Sequence, residues 1–333
     1  LPIYLGAVGE ISITKKNFDI SRPPKSFADF FSGESFTGAG QTLELYLQLG
    51  EDMVRFRTSW VEPYFLGYDV SFGIEGYKMA RGRESWNEAQ TGVQLSLGKK
   101  IGQDTIAKLS YRIEEVEVYD LDDDAPHDAY EVKGKSFVSS LTFDVTVDTR
   151  DDFILPTRGY IVGVSYELAG VFLGGHYDFS KTNVRLAWFQ TVYTDSDNEK
   201  HVFSLGAKIG FADDHSPSES VPIFERFYAG GSTSIRGFEF RSVGPRETDP
   251  SRDDDPIGGN FTMLGTLEYN FPLFKDTLRM VLFVDAGNVV PTVNKEIFDT
   301  MRLSIGFGFR FKVPMLGPRP FAFDFGFPLL KED

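Results

Sequence analysis

The sequence predicts an all-β protein, a transmembrane barrel of antiparallel strands around a polar lumen, and three observations predict it. Period-two alternation of apolar and polar residues recurs about fourteen times along the 333 residues. No run of about 18 apolar residues occurs, so no segment reads as a membrane-spanning helix. The links between alternating segments switch in length, with tight turns such as "KKIGQD" and "TDSDNEK" set against longer polar stretches at 117–135, 169–180, 212–259 and 287–299.

Taken in order, the alternating segments fall near 3–14, 41–49 ("LELYLQL"), 53–60, 67–79 ("GYDVSFGIEG"), 90–99, 104–117, 136–148, 159–169 ("GYIVGVSYEL"), 181–194, 201–212 ("HVFSLGAKIGF"), 260–271, 277–286, 300–313 and 319–327. In 136–148, Leu141, Phe143, Val145 and Val147 share one face, while Thr142, Asp144, Thr146 and Asp148 share the other. In 300–313, Leu303, Ile305, Phe307, Phe309, Phe311 and Val313 oppose Arg302, Ser304, Gly306, Gly308, Arg310 and Lys312. In 319–327, Phe321, Phe323, Phe325 and Phe327 oppose Ala322, Asp324 and Gly326. A soluble sandwich turns such apolar faces inward; without covering helices, this many of them need a non-aqueous medium. Phe307, Phe309, Phe323 and Phe325 are therefore expected to contact lipid. Arg310, Asp324 and Lys312 are expected to line the interior, with Ser304 as a tolerant lumenal position.

Two links on the short side break the alternation of lengths. One is "TRDDFILPTRG". The other is residues 15–40, where Phe27, Phe30 and Phe31 stand at helical spacing, reading either as a small amphipathic helix at the membrane surface or a partner, or as a packed turn over the rim.

Composition narrows the function classes. Phe (32) and Gly (33) are both abundant, and the formal charge of −15 argues against a nucleic-acid partner, which would need a basic stripe. The absence of cysteine removes thiol chemistry and disulfides. No charged-then-apolar leader stands at Leu1, so a removed signal peptide or an excised piece is expected. The four histidines, His127, His176, His201 and His215, have no serine partner by strand parity, and no enzyme, catalytic residue or cofactor is expected. The acidic runs "DLDDDAP" and Asp253 to Asp255 lack the ligand spacing of a known calcium loop and read as solvated surface, so no metal is expected.

The stretch "AGGSTSIRGFEF", 229–240, sits in the longest run without strand or helix pattern, and a lone arginine there needs fixed carboxylates if the loop folds into the lumen. Parity supplies them. Leu278, Met280, Leu282 and Val284 face lipid, which turns Phe283 and Asp285 to the lumen, and the strand before it turns Thr266, Glu268 and Asn270 the same way. Arg236 is expected to make forked hydrogen bonds to Asp285 and Glu268, with Gly230, Gly231 and Gly237 permitting close backbone approach.

These residues carry a resemblance. Arg236-Gly237-Phe238 after Gly230-Gly231, the Phe283-Val284-Asp285 triplet, "DPIGGN" before a strand ending in "LEY", and "PMLGPRPFAFDFGFPL" together resemble the barrel domain of the BamA family of outer-membrane protein assembly factors. That superfamily includes two-partner-secretion transporters and the mitochondrial sorting-and-assembly barrel. "TRDDFILPTRG" is similar to the link before the family's ninth strand. The resemblance implies a sixteen-stranded barrel whose sixth external loop enters the lumen and is pinned through Arg236, with Glu268, Phe283 and Asp285 as partners. It implies a single barrel domain over 1–333, with 212–259 as that loop, in the bacterial outer membrane. On this reading the first and last strands and the POTRA domains lie outside the chain, which is expected to be a fragment. The implied activity is insertion and folding of β-barrel proteins through a lateral seam between terminal strands. The implied partners are the bilayer, unfolded β-barrel clients and periplasmic assembly lipoproteins. The alternatives are a two-partner-secretion translocation pore or a passive porin.

Overall fold

The computed structural model describes residues 8–32, 35–50, 52–215, 220–274, 277–312 and 320–330. Fourteen strands occur among them: β1 (Val8–Phe18), β2 (Thr37–Gly50), β3 (Met53–Glu62), β4 (Ser71–Gly82), β5 (Asn87–Ile101), β6 (Thr105–Tyr119), β7 (Gly134–Asp148), β8 (Gly159–Ala169), β9 (Phe179–Thr194), β10 (Lys200–Asp214), β11 (Phe261–Phe274), β12 (Leu278–Val290), β13 (Arg302–Phe311) and β14 (Phe321–Leu330). They form one sheet whose order follows the sequence from β1 to β14. Each expected segment meets one strand. Of the motif "PMLGPRPFAFDFGFPL", residues 314–319 lie outside the described residues.

Some strand ends differ from the sequence reading by up to four residues; β1 runs to Phe18 instead of stopping near residue 14. Phe18 is buried and stacks on Phe36 at 5.3 Å, and that contact carries the ladder past two lysines. The link 15–40 shrinks accordingly and holds the helix α1 (Phe27–Ser32). The Ser26 hydroxyl accepts from the Asp29 N–H at 3.1 Å, closing its first turn. Phe27 is exposed, and the side chains of Phe30 and Phe31 lie outside the described residues. Two further short helices, α2 (His127–Glu131) and α3 (Glu296–Asp299), sit in links.

The chain forms two compact units, Leu1–Phe143 with Glu167–Asp178, and Asp144–Tyr166 with Phe179–Asp333. In the first, Val93, Leu95 and Leu97 of β5 are exposed on one face, while Gln94 on the other pairs across to Glu75 and Arg112. Charge on that polar face is matched locally. Arg112 binds Glu167 at 2.7 Å and Glu114 at 3.3 Å, the Tyr77 hydroxyl donates to Glu114, and the buried Glu88 takes Arg83 at 2.9 Å.

In the second unit the faces are equally divided. Phe323 and Phe325 are more than half exposed, and Phe307 lies against Phe325 at 5.2 Å in a sheet of stacked rings. Between paired strands the backbone groups are satisfied within the ladders, so the greasy face there asks nothing polar of its surroundings. Ser304 is fully buried opposite Asp285 on the polar face, and one loop expectation needs correction. Asp255 of the acidic run is also buried, because the segment turns back so that the Glu247 N–H donates to its carbonyl.

Candidate functional site: an arginine fork on the polar face of β11 to β14

The loop between β10 and β11 builds the site. Residues 229–243 close on themselves: the Val243 N–H donates to the Ala229 carbonyl at 3.0 Å, and the Gly231 N–H donates to the Phe238 carbonyl at 3.0 Å. Gly230 has φ of 105°, and a β-carbon there would collide with the Glu239 carbonyl, so the turn needs glycine. The fold of the loop splits neighbouring side chains. Ile235 enters an apolar cluster with Ala229, Val243 and Val289, against which Phe238 and Leu264 pack. Arg236 points the other way, onto the sheet.

There it meets carboxylates held by three strands. Its Nε donates to Asp285 Oδ2 at 2.7 Å and its Nη2 to Asp285 Oδ1 at 2.8 Å, a two-pronged fork. The Arg236 backbone N–H adds a third bond to Asp285 Oδ2 at 3.1 Å. Nη1 donates to Glu268 Oε1 at 2.7 Å and reaches Asp324 Oδ2 at 3.4 Å. Thr266 closes the ring, accepting from Nη2 at 3.1 Å and donating to Asp285 at 2.6 Å. Beneath the guanidinium lies the Phe283 ring, its centroid 3.5 Å away. Burial opposes the arginine's charge, but the hydrogen bonds to Asp285 and the charges of Glu268 and Asp285 raise its pKa above the ordinary guanidinium value.

The structure thus brings Arg236, Glu268, Phe283 and Asp285 together, with Gly230, Gly231, Gly237 and Phe238 shaping the loop. Sequence reasoning did not assign Thr266 and Asp324 to the arginine. Their polar-face parity was visible; their nearness depends on cross-strand register. Beside the fork a cavity of about 280 Å³ is lined by Arg185, Lys208, Thr233, Ser234, Leu264 and Thr266 among others. Among the described residues no His, Asp or Glu cluster could hold a metal ion. The geometry supports a charge-assisted clamp on a loop.

A family model described as the Omp85 superfamily domain matches residues 35–333. Outer membrane protein assembly factor BamA of Nitratidesulfovibrio vulgaris is 32% identical over 277 residues, covering 82% of this chain and 33% of that protein. The same factor of Neisseria meningitidis serogroup B is 25% identical over 280 residues, covering 78% of this chain and 34% of that protein. The chain spans about a third of the length of these relatives. Among solved structures, BamA from Haemophilus ducreyi lacking POTRA domains 1–3 aligns with a TM-score of 0.78 at 18% identity, covering 98% of this chain and 66% of that one. That likeness shows the fold, an antiparallel β-barrel.

Proposed function

The chain belongs to the Omp85 superfamily, and from that premise we propose that it is the barrel domain of an outer-membrane protein assembly factor, which inserts and folds β-barrel clients. The bilayer its strands cross is the bacterial outer membrane. The observation that carries the reading is the likeness over 277 residues to an assembly factor, on a chain that grips its longest loop through Arg236.

In this reading the loop 212–259 folds into the lumen, and Arg236 with Gly230, Gly231, Gly237 and Phe238 latches it to Glu268, Phe283 and Asp285. Clients add strand by strand at a lateral seam between terminal strands. An unpaired strand edge offers N–H and C=O groups in register, and each arriving strand satisfies them by backbone pairing alone. No bond is made or broken covalently, which is why the protein is read as no enzyme. Unfolded β-barrel proteins are the substrates, and periplasmic assembly lipoproteins are further partners of the complete protein.

The test reconstitutes the complete protein in liposomes and offers a urea-unfolded β-barrel client, scoring folded client by protease protection in the bilayer. More folded client than in protein-free liposomes is expected. Equal yields with and without the protein overturn the assembly reading, and client recovered inside the liposomes assigns the barrel to translocation instead.

A further inference from the structure

Register aligns one row of residues across four strands: Glu268 of β11 pairs with Phe283 of β12, Phe283 with Gly306 of β13, and Gly306 with Gly326 of β14. The last two positions carry no side chain, and each space is filled by something else. The Phe283 ring lies over Gly306, where a β-carbon would run into its Cζ. The 236–237 peptide lies over Gly326, where a β-carbon would stand 2.5 Å from the Gly237 nitrogen and 2.6 Å from the Arg236 carbonyl carbon. Both are backbone atoms, which cannot rotate aside. Two residues along the same face, Asp324 accepts from Arg310 Nη1 at 2.5 Å and Nη2 at 3.1 Å, and from Arg236 Nη1 at 3.4 Å. The loop therefore touches β14 by backbone contact and by charge together.

We infer that Asp324 and Gly326 are positioning residues that make the loop a register lock for β14, so that the loop seats only when β14 is correctly paired. The inference rests on the latch reading above and adds the far strand to it. A slip of β14 by one residue turns the Phe321, Phe323, Phe325 and Phe327 face inward and puts a ring beneath the peptide. A slip by two puts Asp324 or Pro328 there. In every register but the observed one, a side chain occupies the gap that the loop backbone needs, and the Asp324 carboxylate leaves the reach of both arginines.

The test uses the complete protein in detergent micelles with two readouts, cleavage by proteinase K within residues 229–243 and hydrogen exchange of β14 amides relative to β11. Gly326→Ala is expected to raise loop cleavage by about tenfold or more, the scale of losing a bond to a charged group. Gly265→Ala is the control, since a β-carbon there has its nearest neighbours at 3.9 Å. In the other direction, Arg236→Ala is expected to speed β14 exchange. If Gly326→Ala does not fold, Asp324→Asn keeps the shape, removes the charge and is read by the same two measurements. Loop protection in Gly326→Ala equal to that in Gly265→Ala overturns the lock. So does a freed loop with unchanged β14 exchange in Arg236→Ala, which leaves the latch itself standing. Full loop protection in Arg236→Ala sinks the latch reading instead.

Discussion

The Phe283 ring lies beneath the Arg236 guanidinium at 3.5 Å, while the carboxylate of Asp285, two residues on, takes both prongs of its fork. One strand thus supplies a face and an edge for the same cation. The first prediction follows from the burial of Asp285, whose side chain is fully shielded. Arg236→Ala leaves that charge unpaired, which costs about 3–5 kcal/mol in a dry site and less where water enters. Arg236→Lys is expected to recover only part of the loss, because an ammonium cannot reproduce the fork. Protease accessibility of the loop ranks the three proteins, and equal protection in all of them would refute the clamp.

Much of this was legible in the sequence, for a specific reason. Parity in a strand is a two-valued property, so Asp285 and Glu268 could be put on the polar face of neighbouring strands without knowing their register. Asp324 needed more. It is 88 residues from Arg236, and only the register of β13 with β14 brings it near. The extension of β1 to Phe18 was hidden likewise, because Lys15 and Lys16 interrupt the apolar pattern and the aromatic partner Phe36 lies across a link. The burial of Asp255 had no sequence signal, since three consecutive aspartates read as solvated until the loop is seen to fold back.

The second prediction concerns the two faces. Leu95 is exposed on the apolar side of β5, and Gln94 faces Glu75 across the strand pair. Leu95→Arg near the bilayer midplane should cost about 2–4 kcal/mol, and Gln94→Arg far less, since that face is polar and already carries the charges of Glu75 and Arg112 on its two neighbouring strands. Unfolding midpoints in lipid vesicles compare the two. Similar losses would reverse the assignment of faces.

The turn between β7 and β8 supplies a pH prediction. Desolvation works to raise the Asp151 pKa, but the Thr157 hydroxyl at 2.5 Å and the N–H groups of Thr157 and Arg158 at 2.8 and 3.1 Å outweigh it, lowering the value to about 2. An unfolded aspartate titrates near ~3.9. A depressed folded value means the turn's extra stability is complete above the unfolded pKa and is lost as pH falls through the folded one. Protection of the Thr157 and Arg158 amides, corrected for intrinsic exchange, should hold constant above about pH 5 and decline below about pH 4. Asp151→Asn should give a flat profile in this range. An unshifted carboxyl titration of Asp151 by NMR would contradict the bonding scheme.

Thr266 and Ser304 stand opposite Asp285 on its two neighbouring strands, and their hydroxyls should respond oppositely to removal. Thr266 on β11 donates to Asp285 at 2.6 Å and accepts from Arg236 at 3.1 Å, so Thr266→Val takes a partner from each member of the fork. Loss of a hydrogen bond to a charged group costs about 1.5–3 kcal/mol. Ser304 on β13 sits opposite Asp285 in the ladder, fully buried, yet its Oγ has no hydrogen-bond partner. A buried hydroxyl without a partner carries a desolvation penalty of about 1–3 kcal/mol, and deleting it relieves that penalty against a small loss of packing. Ser304→Ala is therefore expected to leave stability unchanged or raise it slightly. Urea unfolding of both variants in micelles gives the ranking. A Ser304→Ala protein less stable than Thr266→Val would mean that the carboxylate leans on β13 rather than on β11, and the roles of the two hydroxyls would have to be exchanged.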